Sequence, residues 1–210
     1  MTDELVFYTN PMSRGRIVRW MLEEVGVPYR TEILDFNGAT RTPAYLKVNP
    51  MGKVPAITHR GAVVTEAAAI CVYLADAFPS AGLAPAPADR AAYYRWLFFA
   101  AGPIESAMVD RSLGVVVPPE KEGMVGYRNL ETAVATLETA LGDGPWLLGA
   151  AFSAVDVYVG SQISWGLHFQ SIPATPALEA YVARLEARPA AVRARAIDDA
   201  LLPEDMRGKM

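Results

Sequence analysis

The sequence predicts an α/β domain followed by an all-α domain, and three observations support this fold class. Short β-prone runs alternate with segments of helical spacing up to Pro79, in the order β-α-β-α-β-β-α. A stretch rich in proline, alanine and glycine, PSAGLAPAPAD, then breaks this pattern. Every later segment has helical periodicity. We therefore expect a first domain at 1–79, a linker at 80–89 and a helical domain at 90–210.

A short turn separates the first predicted strand from the first predicted helix. The run ELVFY, from Glu4 to Tyr8, is apolar and β-prone. In the next segment, SRGRIVRWMLEEVG, helical spacing places the apolar residues near one face: Ile17, Trp20, Met21 and Val25. Gly26 is a suitable C-cap, and Pro28 prevents the helix from continuing.

The rest of the first domain contains three predicted strands and two predicted helices. The run YRTEIL alternates polar and apolar residues, as a strand does. TPAYLKVN is a short helix candidate, with Thr42 as its cap and Pro43 at its first position. VPAITH and AVVT form a hairpin around Arg60 and Gly61. EAAAICVYLADAF, from Glu66 to Phe78, is a helix that the following proline ends.

Five helical segments are expected in the second domain. The first, DRAAYYRWLFFAAGPIESAMVDRSL, should be kinked at Gly102–Pro103, because proline removes one helical hydrogen bond. The second, EKEGMVGYRNLETAVATLETAL, has one apolar stripe: Leu130, Val134, Leu137 and Leu141. Ser153 and Asp156 form an S-x-x-D capping box at the start of the third, SAVDVYVGSQISWGLHF. The last two are PALEAYVARLEARP and AAVRARAID.

Composition excludes several classes of protein. With 52% hydrophobic and 20% charged residues in a chain of 210, the protein is globular and not disordered. A formal net charge of -4 gives no electrostatic reason to expect a nucleic-acid partner. The first residues lack the pattern of a signal peptide, and no apolar run approaches the ~18 residues of a membrane span. We therefore predict a cytoplasmic protein without a membrane partner.

The cysteine and the histidines do not suggest chemistry of their own. Cys71 is the only cysteine, so no internal disulfide forms, and its apolar helix favours a buried structural thiol. His59 and His168 are far apart in sequence and lack a metal-ligand pattern, so we expect no metal site.

The turn between the first strand and the first helix is a candidate anion site. A helix N-terminus presents unpaired N–H groups and a partial positive charge, and Ser13 stands at that position. Arg14 and Arg16 would add positive field if they point toward the anion. Ser13 has an alternative role as a plain helix cap.

The order of elements, together with four stretches, resembles the cytosolic glutathione S-transferases, in particular bacterial members of the serine type. The stretches are the opening turn, NPMGKVPAI, VTEAAAI and FSAVDVYVG, and the resemblance extends over nearly the whole chain. Members of this family pair a thioredoxin-like domain with a helical domain. The resemblance implies a homodimer with a detoxification role that uses glutathione as co-substrate and attacks a small hydrophobic electrophile.

The resemblance also implies residue roles at two of the stretches. Ser13 resembles the serine whose hydroxyl stabilises the glutathione thiolate, and Tyr8 competes with it because tyrosine-type members have their catalytic phenol near that point. Pro55 matches a cis-proline, so the backbone of Val54 would pair with the cysteinyl backbone of glutathione. Lys53 stands where a polar side chain reaches a glutathione carboxylate.

The third stretch matches the family except at one position. Glu66 suits the α-amino group of the γ-glutamyl residue, and the helix that follows suits that residue's carboxylate. The family usually has serine at the next position, whereas this chain has Ala67. The missing hydroxyl leaves open a glutathione-binding or regulatory module with little catalysis. A glutathione-dependent isomerase or dehalogenase is a further alternative.

Overall fold

The computed structural model describes residues 3–142 and 144–207, which form two compact units. The first unit comprises the chain up to Gly82 together with the segment from Arg188 onward, and the second comprises Leu83–Ala187. The helices are α1 (Gly15–Val25), α2 (Pro43–Leu46), α3 (Ala67–Ala77), α4 (Ala91–Phe99), α5 (Glu105–Ser112), α6 (Leu130–Leu141), α7 (Ala154–His168), α8 (Pro176–Glu186) and α9 (Pro189–Ala200).

The first unit contains a four-stranded mixed sheet. Its strands are β1 (Val6–Thr9), β2 (Arg30–Ile33), β3 (Ala56–His59) and β4 (Ala62–Thr65), in the spatial order β2-β1-β3-β4. Strand β2 is parallel to β1, while β3 is antiparallel to both β1 and β4. The βαβαββα order predicted from the sequence is confirmed, and the core of this unit lies between the sheet and the helices α1 and α3.

The strand register brings three distant segments to one edge of the sheet. Tyr8 is paired with Ala56, and Ala56 is paired with Thr65. Because β3 runs opposite to β1 and β4, the chain leaves β1, enters β3 and leaves β4 at the same edge. We call it the Ser13 edge; it comprises residues 10–14, 53–55 and 66–67.

Local signals in the sequence correctly placed several element boundaries. Gly26 ends α1 in the left-handed conformation, with φ 72°, and its N–H donates to the carbonyl of Leu22. The Thr42 hydroxyl accepts the N–H of Tyr45 at 3.3 Å, as expected of the cap of α2. The chain turns between β3 and β4 at Arg60 and Gly61, both with positive φ.

Helix α9 packs on α1, so the compact units do not coincide with the predicted domain ranges. The guanidinium of Arg19 forms a buried ion pair with Asp198, at 3.2 Å. Arg188 makes two hydrogen bonds to the carboxylate of Glu24, at 2.7 and 2.8 Å. These contacts place the segment from Arg188 in the first unit, whereas the predicted helical domain was 90–210.

The second unit has an interruption where the kink was predicted, and it departs from the predicted helices in one place. The predicted kink occurs as a π-helical segment, Ala100–Ile104, that separates α4 from α5 at Pro103. The predicted helix from Glu120 was too long, because α6 begins only at Leu130. Asn129 caps it by accepting the N–H of Thr132 at 2.9 Å, and the preceding glycine-containing stretch does not form α-helix.

The predicted capping box at α7 is part of a buried network around one carboxylate. Asp156 is fully buried and accepts the N–H of Ser153 at 2.9 Å, the N–H of Leu147 at 2.9 Å and the hydroxyl of Tyr181 at 2.8 Å. The Ser153 hydroxyl donates to the same carboxylate at 3.3 Å. Burial raises the pKa of Asp156, and these hydrogen bonds oppose that rise.

Replacing Ser153 with alanine should lower the free energy of unfolding by about 0.5–2 kcal/mol, because it removes the hydroxyl from this helix start. Thermal melting measures the loss. Asp156→Ala is the stronger matched variant, since it leaves two buried N–H groups and a tyrosine hydroxyl without their acceptor. A melting temperature that is unchanged in both variants would show that the network does not stabilise the second unit.

Candidate functional site

The turn that leaves β1 is held by hydrogen bonds of its own side chains. The amide of Asn10 donates to the carbonyl of Leu34 at 2.8 Å and accepts the N–H of Met12 at 2.9 Å. The Ser13 hydroxyl donates to the carbonyl of Asn10 at 2.7 Å and accepts the N–H of Gly15 at 2.9 Å. Helix α1 begins at Gly15, so Ser13 lies just before its N-terminus, and within the described chain its own N–H makes no hydrogen bond.

Strand β1 and helix α1 approach each other closely at this turn. Thr9 ends β1 and is completely buried. A Cβ atom added at Gly15 would lie 1.9 Å from the Thr9 hydroxyl and 3.0 Å from the Ser13 hydroxyl. Within the described part of the chain, the Thr9 hydroxyl has no hydrogen-bond partner. Glycine at position 15 therefore sets how near the helix start comes to the strand.

Arg16 binds the turn instead of presenting a free charge to it. Its Nε donates to the carbonyl of Pro11 at 2.6 Å, and its Nη2 forms an ion pair with Asp199 of α9 at 2.7 Å. From the sequence, Arg16 was expected to add positive field at the helix start if it points toward the anion. The structure instead gives this guanidinium two fixed partners, one in the turn and one in α9.

The chain enters β3 through a cis peptide bond between Val54 and Pro55, as the resemblance implied. The carbonyl of Lys53 accepts two hydrogen bonds, from the Tyr45 hydroxyl at 2.6 Å and from the Asn49 amide at 2.8 Å. Among the described residues, nothing bonds to the N–H or the C=O of Val54. The backbone of Val54 is therefore available to pair with an extended peptide, and the side chain of Lys53 is exposed beside it.

Tyr8 lies on β1 at the same edge and is half-buried. Its ring contacts that of Tyr45, with the two centroids 5.6 Å apart. Burial, together with the proximity of Tyr8, raises the pKa of Tyr45 to about 12. The hydroxyl of Tyr45 is committed to Lys53, whereas that of Tyr8 has no hydrogen bond within the described residues. Tyr8 therefore remains a competitor of Ser13 for a ligand at this edge.

Glu66 leaves β4 in a strained backbone conformation. Its φ of 68° and ψ of 117° are unusual for a residue other than glycine, and such strain is concentrated at functional sites. Its carboxylate is exposed and does not cap α3, which begins at the next residue. Ala67, Ala68 and Ala69 form the first turn of α3, and their N–H groups have no partner within the described chain.

All seven residues predicted for the site therefore lie at the Ser13 edge or on the strand end beside it. The edge offers two helix N-termini for anionic groups, an unpaired stretch of backbone for a peptide, and one carboxylate for an ammonium group. Sequence reasoning missed the residues that support this arrangement: Thr9, Asn10, Tyr45, Asn49 and Asp199. Asn10 and Asn49 are turn-forming residues, which is the one signal that could have identified them.

Other reactive groups lie outside this edge. Cys71 is fully buried in α3, and burial raises the pKa of its thiol, so the protonated form persists at neutral pH. The described ranges contain no group of three potential metal-ligating side chains. No helix within those ranges is both long and apolar enough to cross a membrane.

Comparison with known families identifies the class of protein. Residues 12–77 match the family described as glutathione S-transferase, N-terminal domain, and residues 110–184 match glutathione S-transferase, C-terminal domain. The glutathione S-transferase-like protein gedE of Aspergillus terreus is 30% identical over 168 residues, which is 72% of this chain and 73% of gedE. The chain belongs to the glutathione S-transferase family, as the sequence resemblance indicated.

Solved structures agree with this assignment over almost the whole chain. A theta class glutathione S-transferase from Xanthomonas axonopodis pv. citri, with glutathione bound, is 31% identical and has a TM-score of 0.73. The match covers 92% of this chain and 97% of that one. A sphingomonad glutathione S-transferase complexed with glutathione is 29% identical, with a TM-score of 0.73 and coverage of 92% and 98%. These likenesses confirm the predicted thioredoxin-like domain and all-α part.

Proposed function

We propose that the protein is a serine-type glutathione transferase that binds glutathione at the Ser13 edge and directs its thiolate at a small apolar electrophile. The observation that best supports this function is the unpaired backbone of Val54 beside the cis peptide bond to Pro55. It lies at the same sheet edge as the strained Glu66. An extended tripeptide with a free ammonium group and two carboxylates matches these groups in number and charge.

Each part of glutathione has a partner in this proposal. The cysteinyl backbone pairs with Val54, and Glu66 accepts the α-amino group of the γ-glutamyl residue. The first turn of α3 binds the γ-glutamyl carboxylate through its N–H groups. Lys53 reaches the remaining carboxylate from the exposed side.

The sulfur then lies at the turn before α1. A free thiol has a pKa of about 8.5, so a small part of it is ionised at neutral pH. A hydroxyl that donates to sulfur, next to a helix N-terminus, lowers that pKa and increases the population of the nucleophile. In the structure the Ser13 hydroxyl donates to the carbonyl of Asn10, so it must turn its proton from that carbonyl to the sulfur. The side chain already lies beside the helix start, where it accepts the N–H of Gly15 at 2.9 Å.

Two assays test the proposed function together. Retention on immobilised glutathione reports binding, and conjugation of glutathione to aromatic and alkyl halides reports catalysis. We expect both in the wild-type protein. Retention without turnover would favour a binding or regulatory module, for which Ala67 is the supporting observation, and turnover confined to isomerisation or dehalogenation would assign a different reaction. The loss of both would refute a glutathione-dependent role.

Restoring the hydroxyl at position 67 should tighten glutathione binding. Ala67 is the first residue of α3, and a serine there would donate to the γ-glutamyl carboxylate. A hydrogen bond to a charged group contributes about 1.5–3 kcal/mol at best. Titration calorimetry of Ala67→Ser against the wild type measures the gain, with Ala69→Ser in the same helical turn as the control. Equal affinity in all three proteins would show that backbone N–H groups already satisfy that carboxylate.

We further propose a cytoplasmic homodimer with a detoxification role. Tyr93 and Trp96 are buried in the second unit, whereas Tyr94 and Phe98 of the same helix are 42% and 74% exposed. Exposed aromatic side chains on one helix are typical of a subunit contact. Sedimentation at micromolar concentration should give about twice the chain mass of 22.7 kDa. A single species at the monomer mass would contradict this expectation.

A further inference from the structure

We infer that Arg16 and Asp199 are positioning residues for the thiolate. The guanidinium of Arg16 links helix α9 to the turn that contains Ser13. This inference rests on the proposed function, and it assigns a part in the glutathione site to α9, a helix far from Ser13 in the sequence. Asp199 is 183 residues from Arg16 in the sequence.

The contacts of Arg16 point in two directions at once. Its Nε donates to the carbonyl of Pro11, two residues before Ser13, at 2.6 Å. Its Nη2 binds the Asp199 carboxylate at 2.7 Å, and the two side chains are only 10% and 20% exposed. The nitrogen atoms of a guanidinium group have a fixed geometry. Binding of Arg16 Nη2 to Asp199 of α9 therefore fixes where Nε binds the turn.

The turn is anchored at two points, through Asn10 and through Arg16, and the two anchors together fix the position of Ser13. Asn10 binds the carbonyl of Leu34 after β2, which holds the start of the turn. Arg16 holds its middle at Pro11. Without the second anchor, the turn after Asn10 would keep only short-range hydrogen bonds, from Met12 and Ser13 to Asn10 and from Gly15 to Ser13. Because a displacement of about 1 Å at a reacting group costs up to ~100-fold in rate, this anchor matters for turnover.

The same pair of helices supplies a matched control. Arg19 lies one turn further along α1 and pairs with Asp198, the residue next to Asp199. Its other hydrogen bonds go to the hydroxyls of Tyr29 and Thr31 and not to the turn. Both side chains of this pair are almost fully buried, at 3% and 2% exposed, so its loss should disturb the docking of α9 at least as much.

The experiment compares Arg16→Lys, Asp199→Ala and Asp199→Asn with Arg19→Lys and Asp198→Asn. The observables are the thiolate absorbance of bound glutathione titrated against pH, kcat/KM for conjugation, and thermal melting. Lysine retains the charge but cannot bind Pro11 and Asp199 with one fixed fork. We expect Arg16→Lys and Asp199→Ala to raise the pKa of bound glutathione by about one unit and to lower kcat/KM at neutral pH about 10-fold. Asp199→Asn retains an acceptor oxygen and should recover most of the activity.

The two control variants should lower the melting temperature without moving the thiol titration. If they move it as far as Arg16→Lys does, the effect belongs to the docking of α9 and the inference is wrong. Normal titration in both Arg16→Lys and Asp199→Ala would also overturn it. A wild-type protein that binds glutathione without forming a thiolate would refute the proposed function, and the inference with it. Asp199→Ala tests the tether from α9, so the result does not depend on the folding of an Arg16 variant.

Discussion

Replacement of Ser13 with alanine is expected to lower turnover at neutral pH by about 10–1000-fold. The upper end of this range is the loss in rate that follows removal of one preorganised hydrogen-bond donor. Without the hydroxyl, the pKa of bound glutathione rises, so the thiolate is less populated. The N-terminus of α1 remains, and ionisation should weaken without disappearing. Because the defect is one of ionisation, activity should recover partly as the pH is raised. Affinity for glutathione should change little, since the proposed contacts with its peptide backbone and charged groups involve Val54, Lys53 and Glu66.

Tyr8→Phe is the matched control because it also removes one hydroxyl, and the Tyr8 hydroxyl makes no hydrogen bond to the described residues that would be lost with it. Ser13→Thr is the rescue, since it keeps a hydroxyl on the same carbon. The observable is the thiolate absorbance of the bound complex, titrated against pH for all three variants. A titration that moves in Tyr8→Phe and stays fixed in Ser13→Ala would assign the sulfur contact to Tyr8. The serine-type assignment would then fail.

Gly15→Ala should damage both stability and turnover. The added Cβ would lie 1.9 Å from the buried hydroxyl of Thr9, which is closer than non-bonded atoms approach. Either the Thr9 side chain or helix α1 must therefore shift, and overpacking of this kind costs about 1–3 kcal/mol. Ser13 lies against the same point, 3.0 Å from the added atom, so its hydroxyl should be displaced as well. Thermal melting and conjugation at neutral pH measure the two effects.

A double-mutant cycle with Thr9 shows whether this clash is the cause. Thr9→Ala removes the hydroxyl oxygen, which is the atom nearest to the Cβ added at position 15. The Thr9 Cβ would remain 3.1 Å from that added Cβ. The pair Thr9→Ala and Gly15→Ala should therefore be more stable than the sum of the single changes predicts. Strict additivity would mean that glycine is needed at position 15 for another reason. Thr9→Ala alone should cost little in hydrogen bonding, since the hydroxyl has no partner in the described chain.

The features that were predicted from the sequence depend on short stretches. The C-cap at Gly26 and the cap at Thr42 follow from residues within one turn of the helix end. The cis peptide bond at Pro55 followed from the family resemblance of NPMGKVPAI, and the structure contains it. In the same way, the order of strands and helices in the first unit follows from local periodicity. These features can be predicted from the sequence because each depends on residues that are close together in the chain.

The features that were missed depend on residues far apart in sequence. The ion pair between Arg16 and Asp199 has no local pattern, and the placement of α9 on α1 depends on such pairs. The strained φ of Glu66 also could not be predicted, because glutamate rarely adopts it and the surrounding hairpin and helix impose it. The prediction of a helix from Glu120 was wrong for a local reason, not a long-range one. Its charged residues have acceptable helix propensity, but two glycines lower it.

The discontinuity of the first unit has a consequence for the order of events during synthesis. The ribosome completes Leu83–Ala187 before it makes α9, so every contact inside the second unit is available while the first unit still lacks its last helix. Until then Arg19 has no Asp198 to neutralise it, and the turn that contains Ser13 lacks its tether to α9. The helical unit can therefore fold on the nascent chain, whereas the first unit completes its fold only after translation has passed Asp199.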